Sequence, residues 1–390
     1  MNPSKVCVVT GTRSEYGILK PLLERIKETQ ELDLQLIATG MHLSPEFGLT
    51  YQEIEQDGFI IDEKIEILMS SDTSIGVSKS MGMTLISFSE AYERLQPDLI
   101  VILGDRYEAF AAMSTAAVAK IPVAHLHGGE ITEGAVDNSF RHSMTKMAYL
   151  HFTATEEYRK RVIQLGESPQ RVFNVGAMGV ENALNLDLLA KEKLENKLEI
   201  NLGEDYLVIV FHPVTLESKT AKRQIKEITA ALYKKEDLIK VFIKSNSDAE
   251  GRVINEEITR YTQSNRSAYK FTSLPVNDYL SLIKNSKAII GNSSSGIIEA
   301  PSFKTATINI GDRQKGRIKA ESVIDCSADK KDIINALELI ESQKFQEKVN
   351  CLDNPYSNGQ TSKKISEIIQ RFLEEENINL KKEFHDLDLE

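Results

Sequence analysis

Polar and charged side chains collect in short loops that follow apolar runs of this chain. The carboxylates and imidazoles of the first half are groups that can transfer protons near neutral pH. The acid–base candidates there are Glu15, His42, Asp105, His125, His127, Glu130, Glu133, Asp137 and His142. The loops read GTRSEYG (11–17), GMH (40–42), GDRYE (104–108), HGGE (127–130), HPVT (212–215), SNSD (245–248), GNSSSG (291–296) and GDRQKGR (311–317).

Four of these acid–base candidates come from neighbouring strand ends and can converge: Asp105, His127, Glu130 and Asp137. His125 and His127 are two positions apart on one strand and so share a face. We expect His125 to be a hydrogen-bonded core residue and His127 to face the ligand. A zinc site is disfavoured because no third ligand has a clear spacing. We predict no metal and no cofactor, since the GxGxxG dinucleotide fingerprint is missing.

The segment GNSSSG is a candidate anion site in the second half of the chain. Glycine lets a backbone approach closely, Ser293 or Ser294 can cap a helix, and free N–H groups there attract phosphate. Gly296 completes this loop and is assigned to substrate binding with the serines. Ile297 and Ile298 stand where a P-loop needs Lys and Ser. The segment could equally be a serine-rich helix cap without a ligand.

Several further side chains could hold a diphosphate or a sugar. Guanidinium groups match phosphate oxygens in pairs, and the candidates are Arg13, Arg106 and Arg313, with Arg141 and Arg317 as weaker ones. His212 could touch a phosphate or be structural, and His42 is assigned to substrate binding. Glu299 could accept both hydroxyls of a ribose, or it could be a solvated glutamate in a first helical turn.

Short apolar runs alternate with helical patterns, which predicts parallel strands and crossover helices. Runs such as Val6–Val9, Leu99–Leu103 and Leu207–Phe211 are too short for helices. The alternation occurs twice, so we expect an α/β protein with two Rossmann-like domains, residues 1–185 and 186–370, and a charged tail, 371–390. Residues 183–205 are interpreted as the inter-domain crossing. Ligands bind at the carboxyl ends of such strands, so the loops should line a cleft.

Composition excludes several function classes. The chain of 390 residues has a net charge of -11, which disfavours nucleic acid as a partner. Cys7, Cys326 and Cys351 form no paired motif, which is typical of a reducing cytoplasm. No stretch reaches the ~20 apolar residues of a membrane span, and the N-terminus is unlike a signal peptide. We therefore expect a cytoplasmic protein without a membrane partner.

Taken together, GTRSEYG, GDR, GGE followed by VDNSFRHSMTK, HPVT, GNSSSGIIEAPS and INIGDRQKGR resemble the hydrolysing UDP-N-acetylglucosamine 2-epimerases, from about residue 5 to residue 318. The likeness is strongest to the bacterial enzymes that supply N-acetylmannosamine for sialic acid capsules. It implies a GT-B fold, an active site in the inter-domain cleft, a homodimer or homotetramer, and Asp105 and Asp137 as catalytic carboxylates. It also implies a set of UDP ligands: Arg13, His212, Asn246, Ser293, Ser294, Glu299 and Arg313.

The reaction implied by this resemblance eliminates UDP to a glycal and then hydrates it, which inverts C2. One position departs from the pattern: several relatives have Glu where this chain has His127. The proton-transfer role then passes to the imidazole, Glu130 or Asp137. The departure also leaves open a UDP- or GDP-linked 2,4-diacetamido sugar of the legionaminic acid pathway. The motifs are further compatible with a non-hydrolysing epimerase, a GT-B glycosyltransferase or a catalytically silent binding protein.

Overall fold

The computed structural model describes residues 3–69, 73–214, 216–217, 219–245, 250–375 and 378–387. The chain divides into two compact units. Unit 1 comprises Met1–Glu130, Asp137–Glu181 and Tyr356–Glu390, and unit 2 comprises Ile131–Val136 and Asn182–Pro355. None of the described helices combines the length and the apolar composition needed to cross a bilayer.

Unit 1 is built on a parallel sheet of seven strands in the order β3-β2-β1-β4-β5-β6-β7. The first crossovers run outward from β1 in one direction and the later ones in the other, as in a doubly wound sheet. The strands are β1 (Ser4–Thr10), β2 (Leu32–Thr39), β3 (Glu63–Ile65), β4 (Leu99–Leu103), β5 (Val123–Leu126), β6 (Leu150–Thr153) and β7 (Val172–Asn174).

Helices cover both faces of this sheet because the central strands are apolar on both sides. Consecutive β1 residues point to opposite faces, and Val6 and Cys7 are fully buried in two different hydrophobic clusters. The helices are α1 (Arg13–Glu28), α2 (Tyr51–Gln56), α3 (Ser74–Leu95), α4 (Tyr107–Ala119), α5 (Asp137–Met147), α6 (Glu156–Gln164) and α7 (Met178–Asn185), within which the chain passes to unit 2.

Unit 2 repeats the design with a parallel sheet of six strands in the order β10-β9-β8-β11-β12-β13. Its strands are β8 (Tyr206–Val210), β9 (Ile239–Ile243), β10 (Ala268–Phe271), β11 (Ala288–Gly291), β12 (Ala306–Ile310) and β13 (Val323–Cys326). Its helices are α8 (Lys191–Leu198), α9 (Ala221–Leu232), α10 (Gly251–Ser264), α11 (Val276–Lys284), α12 (Ser295–Ile298), α13 (Lys330–Leu339) and α14 (Gln343–Cys351). The predicted fold class, two Rossmann-like α/β domains, is confirmed.

The boundaries of the units differ from those expected at three places. Residues 183–205 are not a linker, because Leu194 and Leu202 are fully buried in the core of unit 2. Residues 131–136, between the first-half motifs, also belong to unit 2. The C-terminal helix α15 (Thr361–Leu373) returns to unit 1, where Ile365 and Ile369 are fully buried.

The charged tail also packs on unit 1. Lys382 Nζ donates to Glu167 Oε2 at 2.6 Å and to the Ala148 carbonyl at 2.6 Å. Tyr149 donates through its hydroxyl to the Asn379 carbonyl at 2.7 Å. The sequence pattern does not predict this packing, because it shows the charges of the tail but not their buried partner, Glu167.

Candidate active site

The GDR loop of unit 1 places Asp105 directly after β4, where the chain turns into α4. Gly104 makes this turn with φ +80°, a conformation that glycine adopts without steric cost. His125 is fully buried in β5, and its Nε2 lies 2.7 Å from the Gly104 carbonyl. Because burial lowers the pKa of His125 to about 3, the ring is neutral and donates this bond. His125 is therefore a hydrogen-bonded core residue, as expected.

The HGGE loop follows β5, next to β4 in the sheet. His127 has φ +65°, and its amide donates to the Phe152 carbonyl at 2.8 Å. Only glycine fits at position 129, because a Cβ there would lie 2.4 Å from the Tyr158 carbonyl oxygen. The reversal brings His127 Nδ1 to 2.8 Å from Glu130 Oε1. The loop therefore joins an imidazole to a carboxylate that is only 1% exposed.

Arg141 of α5 connects this pair to Asp105. Its guanidinium donates from Nη1 to Glu130 Oε2 at 3.3 Å and from Nη2 to Asp105 Oδ2. Arg141 is itself buried, so its positive charge is compensated by these two carboxylates, which it contacts directly. An ionised Glu130 can only accept, and the Nδ1 of His127 therefore carries the proton that is donated.

The other ring nitrogen of His127 is left available for proton transfer. In the neutral form of the ring, a proton on Nδ1 leaves a lone pair on His127 Nε2. This atom is buried, and no hydrogen-bond partner lies within reach of it in the described parts of the chain. Asp137 is the first residue of α5, one helical turn before Arg141, so the two share a helix face. Unit 1 thus brings together the elements of the four predicted residues: Arg141 contacts Glu130 and Asp105 directly, and His127 joins them through Glu130.

In unit 2 a buried asparagine ties three strand-end loops together. Asn292, fully buried, accepts from the His212 amide through Oδ1 at 2.7 Å and donates through Nδ2 to the His212 carbonyl at 2.8 Å. Its own carbonyl accepts from Arg313 Nη1 at 3.1 Å and from Gln314 Nε2 at 2.8 Å. The loops after β8, β11 and β12 therefore form one connected surface.

The serine loop lies on this surface, at the start of the short helix α12. Ser293 Oγ lies 3.4 Å from Ser295 Oγ, and both Ser293 and Ser294 are half-buried. His212 Nδ1 lies 3.2 Å from Ser245 Oγ, which adds the loop after β9. Glu299 follows α12 and is 6% exposed, so the interpretation as a solvated glutamate is wrong. Asn246 lies outside the described residues.

The family is settled by comparison with known proteins. The family model described as UDP-N-acetylglucosamine 2-epimerase matches residues 24–370. The chain belongs to the UDP-N-acetylglucosamine 2-epimerase family. It is 46% identical to the GDP/UDP-N,N'-diacetylbacillosamine 2-epimerase (hydrolyzing) of Campylobacter jejuni, covering 89% of this chain and 90% of that protein.

Two further relatives of this 2-epimerase family are similar over most of their length. Polysialic acid biosynthesis protein P7 of Escherichia coli is 42% identical over 98% of this chain and 97% of its own. The UDP-N,N'-diacetylbacillosamine 2-epimerase (hydrolyzing) of Legionella pneumophila is 32% identical over 94% and 95%. Hydrolysing enzymes are thus named among the similar members of the family.

Solved structures of 2-epimerases share the fold. The UDP-GlcNAc 2-epimerase of Neisseria meningitidis, bound to UDP-GlcNAc, has a TM-score of 0.78 at 20% identity and covers 94% of this chain and 100% of that one. The Methanocaldococcus jannaschii enzyme, in complex with UDP-GlcNAc and UDP, has a TM-score of 0.80 at 21% identity, with 94% and 99% covered. The GT-B class is confirmed by these likenesses.

Three residues that were assigned to substrate binding contact other parts of the protein in this 2-epimerase. His42 is fully buried, with Nε2 3.0 Å from Thr10 Oγ1 and Nδ1 2.8 Å from Thr50 Oγ1, and burial lowers its pKa to about 4. Both ring nitrogens are therefore used inside the core. Arg141 contacts the carboxylates of Glu130 and Asp105, whereas a contact with a diphosphate was expected. Gly296 is buried and closely packed, since a Cβ there would lie 2.6 Å from Thr307 Cγ2.

Two candidate arginines of unit 1 already face carboxylates. Arg106 Nε donates to Glu108 Oε1 at 2.6 Å, which disfavours the expected diphosphate contact. Arg13 Nε donates to Glu53 Oε2 at 2.5 Å, and both side chains remain partly exposed. In unit 2, Arg317 Nε donates to the Ile131 carbonyl at 3.3 Å and so holds the 131–136 segment.

The sequence interpretation missed the two amides that organise the strand-end loops of unit 2, Asn292 and Gln314. Both lie inside the candidate loops themselves, GNSSSG and GDRQKGR. The signal that could have found them is the position of each amide directly after the turn glycine or within the turn. A side chain with both a donor and an acceptor can join two backbones there.

Proposed function

We propose that the protein is a hydrolysing 2-epimerase of a nucleotide-linked 2-acetamido sugar. In the first step a base takes the C2 proton, the C2–H electrons form the C1=C2 bond of a glycal, and the C1–O bond breaks with its electrons leaving on the nucleoside diphosphate. In the second step water adds at C1, and a proton is delivered to C2 from the opposite face. The products are the free, C2-inverted sugar and the nucleotide.

The observation that carries this proposal is the chain of contacts from Asp105 through Arg141 and Glu130 to His127. It supplies two carboxylates and one imidazole, whose neutral form has a lone pair on Nε2 when Nδ1 carries the proton. A positioned acid or base of this kind contributes ~10²–10⁴-fold to a rate. In our proposal His127, Asp105, Glu130 and Asp137 perform the two proton transfers at C2 and the activation of water.

The nucleotide is assigned to the connected loops of unit 2. Ser293, Ser294, His212 and Arg313 present hydroxyl, imidazole and guanidinium groups suited to phosphate oxygens. The carboxylate of Glu299 is assigned to the ribose hydroxyls. Stabilisation of the charge that develops on the leaving diphosphate is worth on the order of 3–4 kcal/mol per well-aimed donor, which is why the anion site matters as much as the bases. Asn246 and Arg13 stay in the proposal on the family resemblance alone.

Two sugars are candidates, and each is supported by a different relative. The 46% identity to a GDP/UDP-N,N'-diacetylbacillosamine 2-epimerase supports a 2,4-diacetamido sugar, as does the 32% identity to its Legionella counterpart. The 42% identity to a polysialic acid biosynthesis protein supports UDP-N-acetylglucosamine and the product N-acetylmannosamine. We place the diacetamido sugar first, because two of the similar relatives carry that name.

A direct competition assay tests which of the two sugars the enzyme prefers. Equal concentrations of UDP-N,N'-diacetylbacillosamine and UDP-N-acetylglucosamine are given to the enzyme together, and both free sugars are quantified over time. We expect at least ~10-fold higher kcat/KM for the diacetamido sugar, since a pocket built to pair an amide discriminates against a group that leaves it unpaired. A preference for UDP-N-acetylglucosamine would reverse the order. Release of no free sugar from either compound, or from GDP-N,N'-diacetylbacillosamine given alone, would refute the proposed function.

A further inference from the structure

A second pair of carboxylates, Glu15 and Glu108, is buried beside the Asp105 loop in unit 1. Arg106 Nε donates to Glu108 Oε1 at 2.6 Å and lies 3.8 Å from Glu15 Oε1. Glu15 Oε2 accepts from the Gly11 amide at 2.8 Å. The guanidinium that faces both carboxylates belongs to the residue directly after Asp105.

The surroundings of this pair disfavour two negative charges. The Glu108 side chain is 3% exposed and that of Glu15 is 15% exposed. Glu108 Oε2 is buried, and no hydrogen-bond partner for it is found in the described portion of the chain. A buried carboxylate without full pairing is costly in its ionised form, so one proton on the pair relieves that cost.

The carboxylate of Glu108 is closely packed. A Cβ on Gly11 would lie 2.8 Å from Glu108 Oε1, and one on Gly40 would lie 3.5 Å from the same oxygen. Gly11 follows β1, Gly40 follows β2 and Glu108 lies in the first turn of α4, after β4. These three strands are neighbours in the sheet, so Glu108 fills the space where their ends meet.

The charged groups that face Glu15 are Glu108 from α4 and Arg106 and Asp105 from the loop before it. Burial is the largest influence and raises the pKa of Glu15; Glu108 and Asp105 raise it further, and Arg106 and the Gly11 amide lower it. The resulting pKa is about 7, well above the ordinary value of 4.5. The titration therefore falls near neutral pH.

We propose that the pair formed by Glu15 and Glu108 carries one proton at neutral pH, held by Glu15, and that its loss disturbs the loop carrying Asp105, which makes Glu15 a positioning residue. On ionisation, Glu15 competes with Glu108 for the Arg106 guanidinium and adds a like charge facing Asp105. The inference rests on the proposed function only where activity is measured. It assigns a role to a pair of residues outside the chain formed by Asp105, Arg141, Glu130 and His127.

The first test follows kcat/KM against pH for the parent protein, Glu15→Gln and Glu108→Gln. The parent should lose activity above a midpoint of about 7. Glu15→Gln should lack this transition, because the amide mimics the protonated acid and cannot ionise. Glu108→Gln should move the midpoint to lower pH, because removing a like charge favours ionised Glu15. An identical fall in the parent and in Glu15→Gln would overturn the proposal.

The second test needs no substrate and so separates this inference from the proposed function. A raised folded-state pKa gives stability that is complete below the unfolded value of 4.5 and is lost as pH rises through about 7. The Tm of the parent relative to Glu15→Gln should therefore fall across that interval. Glu24→Gln, an exposed change on the same helix, should track the parent. A constant Tm difference between the parent and Glu15→Gln would contradict the proton held by Glu15.

Discussion

His127 Nδ1 and Glu130 Oε1 lie 2.8 Å apart, three residues from each other along a loop that reverses at two glycines. The carboxylate orients the imidazole and fixes which nitrogen carries the proton. Arg141 in turn holds Glu130 and Asp105. In the proposed mechanism, the glutamate three residues later prepares the imidazole of His127 to act as a base.

Replacement of His127 tests that role. Asn tolerates the left-handed backbone at φ +65°, so His127→Asn should fold normally while losing the titratable Nε2. We expect kcat to fall at least ~10²-fold. Glu130→Gln keeps the imidazole but weakens its orientation, and it should lower kcat and shift the pH profile. A His127→Asn enzyme with the parental kcat would remove the imidazole from the reaction.

Asp105→Asn should separate chemistry from binding. The amide keeps an oxygen that can accept from Arg141 but cannot act as a base, so we expect turnover to fall at least ~10²-fold. Affinity for UDP should stay within ~2-fold of the parent, because the nucleotide is assigned to unit 2. Asp33→Asn, an exposed change on β2, is the matched control and should leave both quantities unchanged. Equal turnover in Asp105→Asn and the control would exclude Asp105.

Glu299→Ala should act mainly on nucleotide affinity. Loss of charge-assisted hydrogen bonds to a ribose costs about 1.5–3 kcal/mol, or roughly 10–100-fold in Kd. Calorimetric titration with UDP measures this directly, and 2′,3′-dideoxy-UDP should bind the parent and the variant equally. Glu321→Ala, exposed in the same unit, serves as the control. An unchanged Kd for UDP in Glu299→Ala would refute the ribose contact.

Gly129→Ala and Gly58→Ala form a matched pair for the HGGE loop. The two glycines have φ +79° and +82°, so both alanines carry a left-handed strain of about 1–2 kcal/mol. Only at position 129 does the added Cβ meet backbone, 2.4 Å from the Tyr158 oxygen, whereas no described atom lies within 4 Å at position 58. Chemical unfolding should show a larger loss of stability for Gly129→Ala. Equal losses would mean that the loop adapts without constraint.

The anchored tail gives a stability prediction in acid. Burial alone would raise the pKa of Glu167, but hydrogen bonds from His151, Lys146 and Lys382 outweigh it and lower the pKa to about 2. The stability contributed is therefore present above the unfolded value of 4.5 and is lost as pH falls through about 2. The Tm advantage over Glu167→Gln should shrink across that interval, while exposed Glu157→Gln shows no such change. A constant advantage would contradict the ion-paired anchor.

Much of the fold follows from short apolar runs between polar loops. The strands expected from such runs, including Val6–Val9, Leu99–Leu103 and Leu207–Phe211, are present, several with shifted ends. Three strands were not predicted: β3 and β10 are sheet-edge strands that carry charged residues, and β6 carries His151, whose partner Glu167 is distant in sequence. A polar residue interrupts the apolar pattern of a strand, so the strand is not predicted unless the buried partner of that residue is known.

The candidate site, like the fold, was predicted only in part. The strand-end rule predicted that Asp105 and Glu130 would come together, since β4 and β5 are neighbours. It did not predict the partner of Arg141, because a guanidinium matches a phosphate and a carboxylate equally well. Asn292 was not predicted for a related reason: the residue type indicates hydrogen bonding, but only the sheet order shows that it joins the loops of His212 and Arg313.

A proton NMR time course in deuterated water decides whether C2 is inverted through a glycal. With the preferred nucleotide sugar as substrate, we predict release of the free nucleotide together with the C2-inverted free sugar, which carries solvent deuterium at C2. Product that keeps its original hydrogen at C2, or a C2-inverted sugar that remains attached to the nucleotide, would contradict hydrolysing epimerisation by this route.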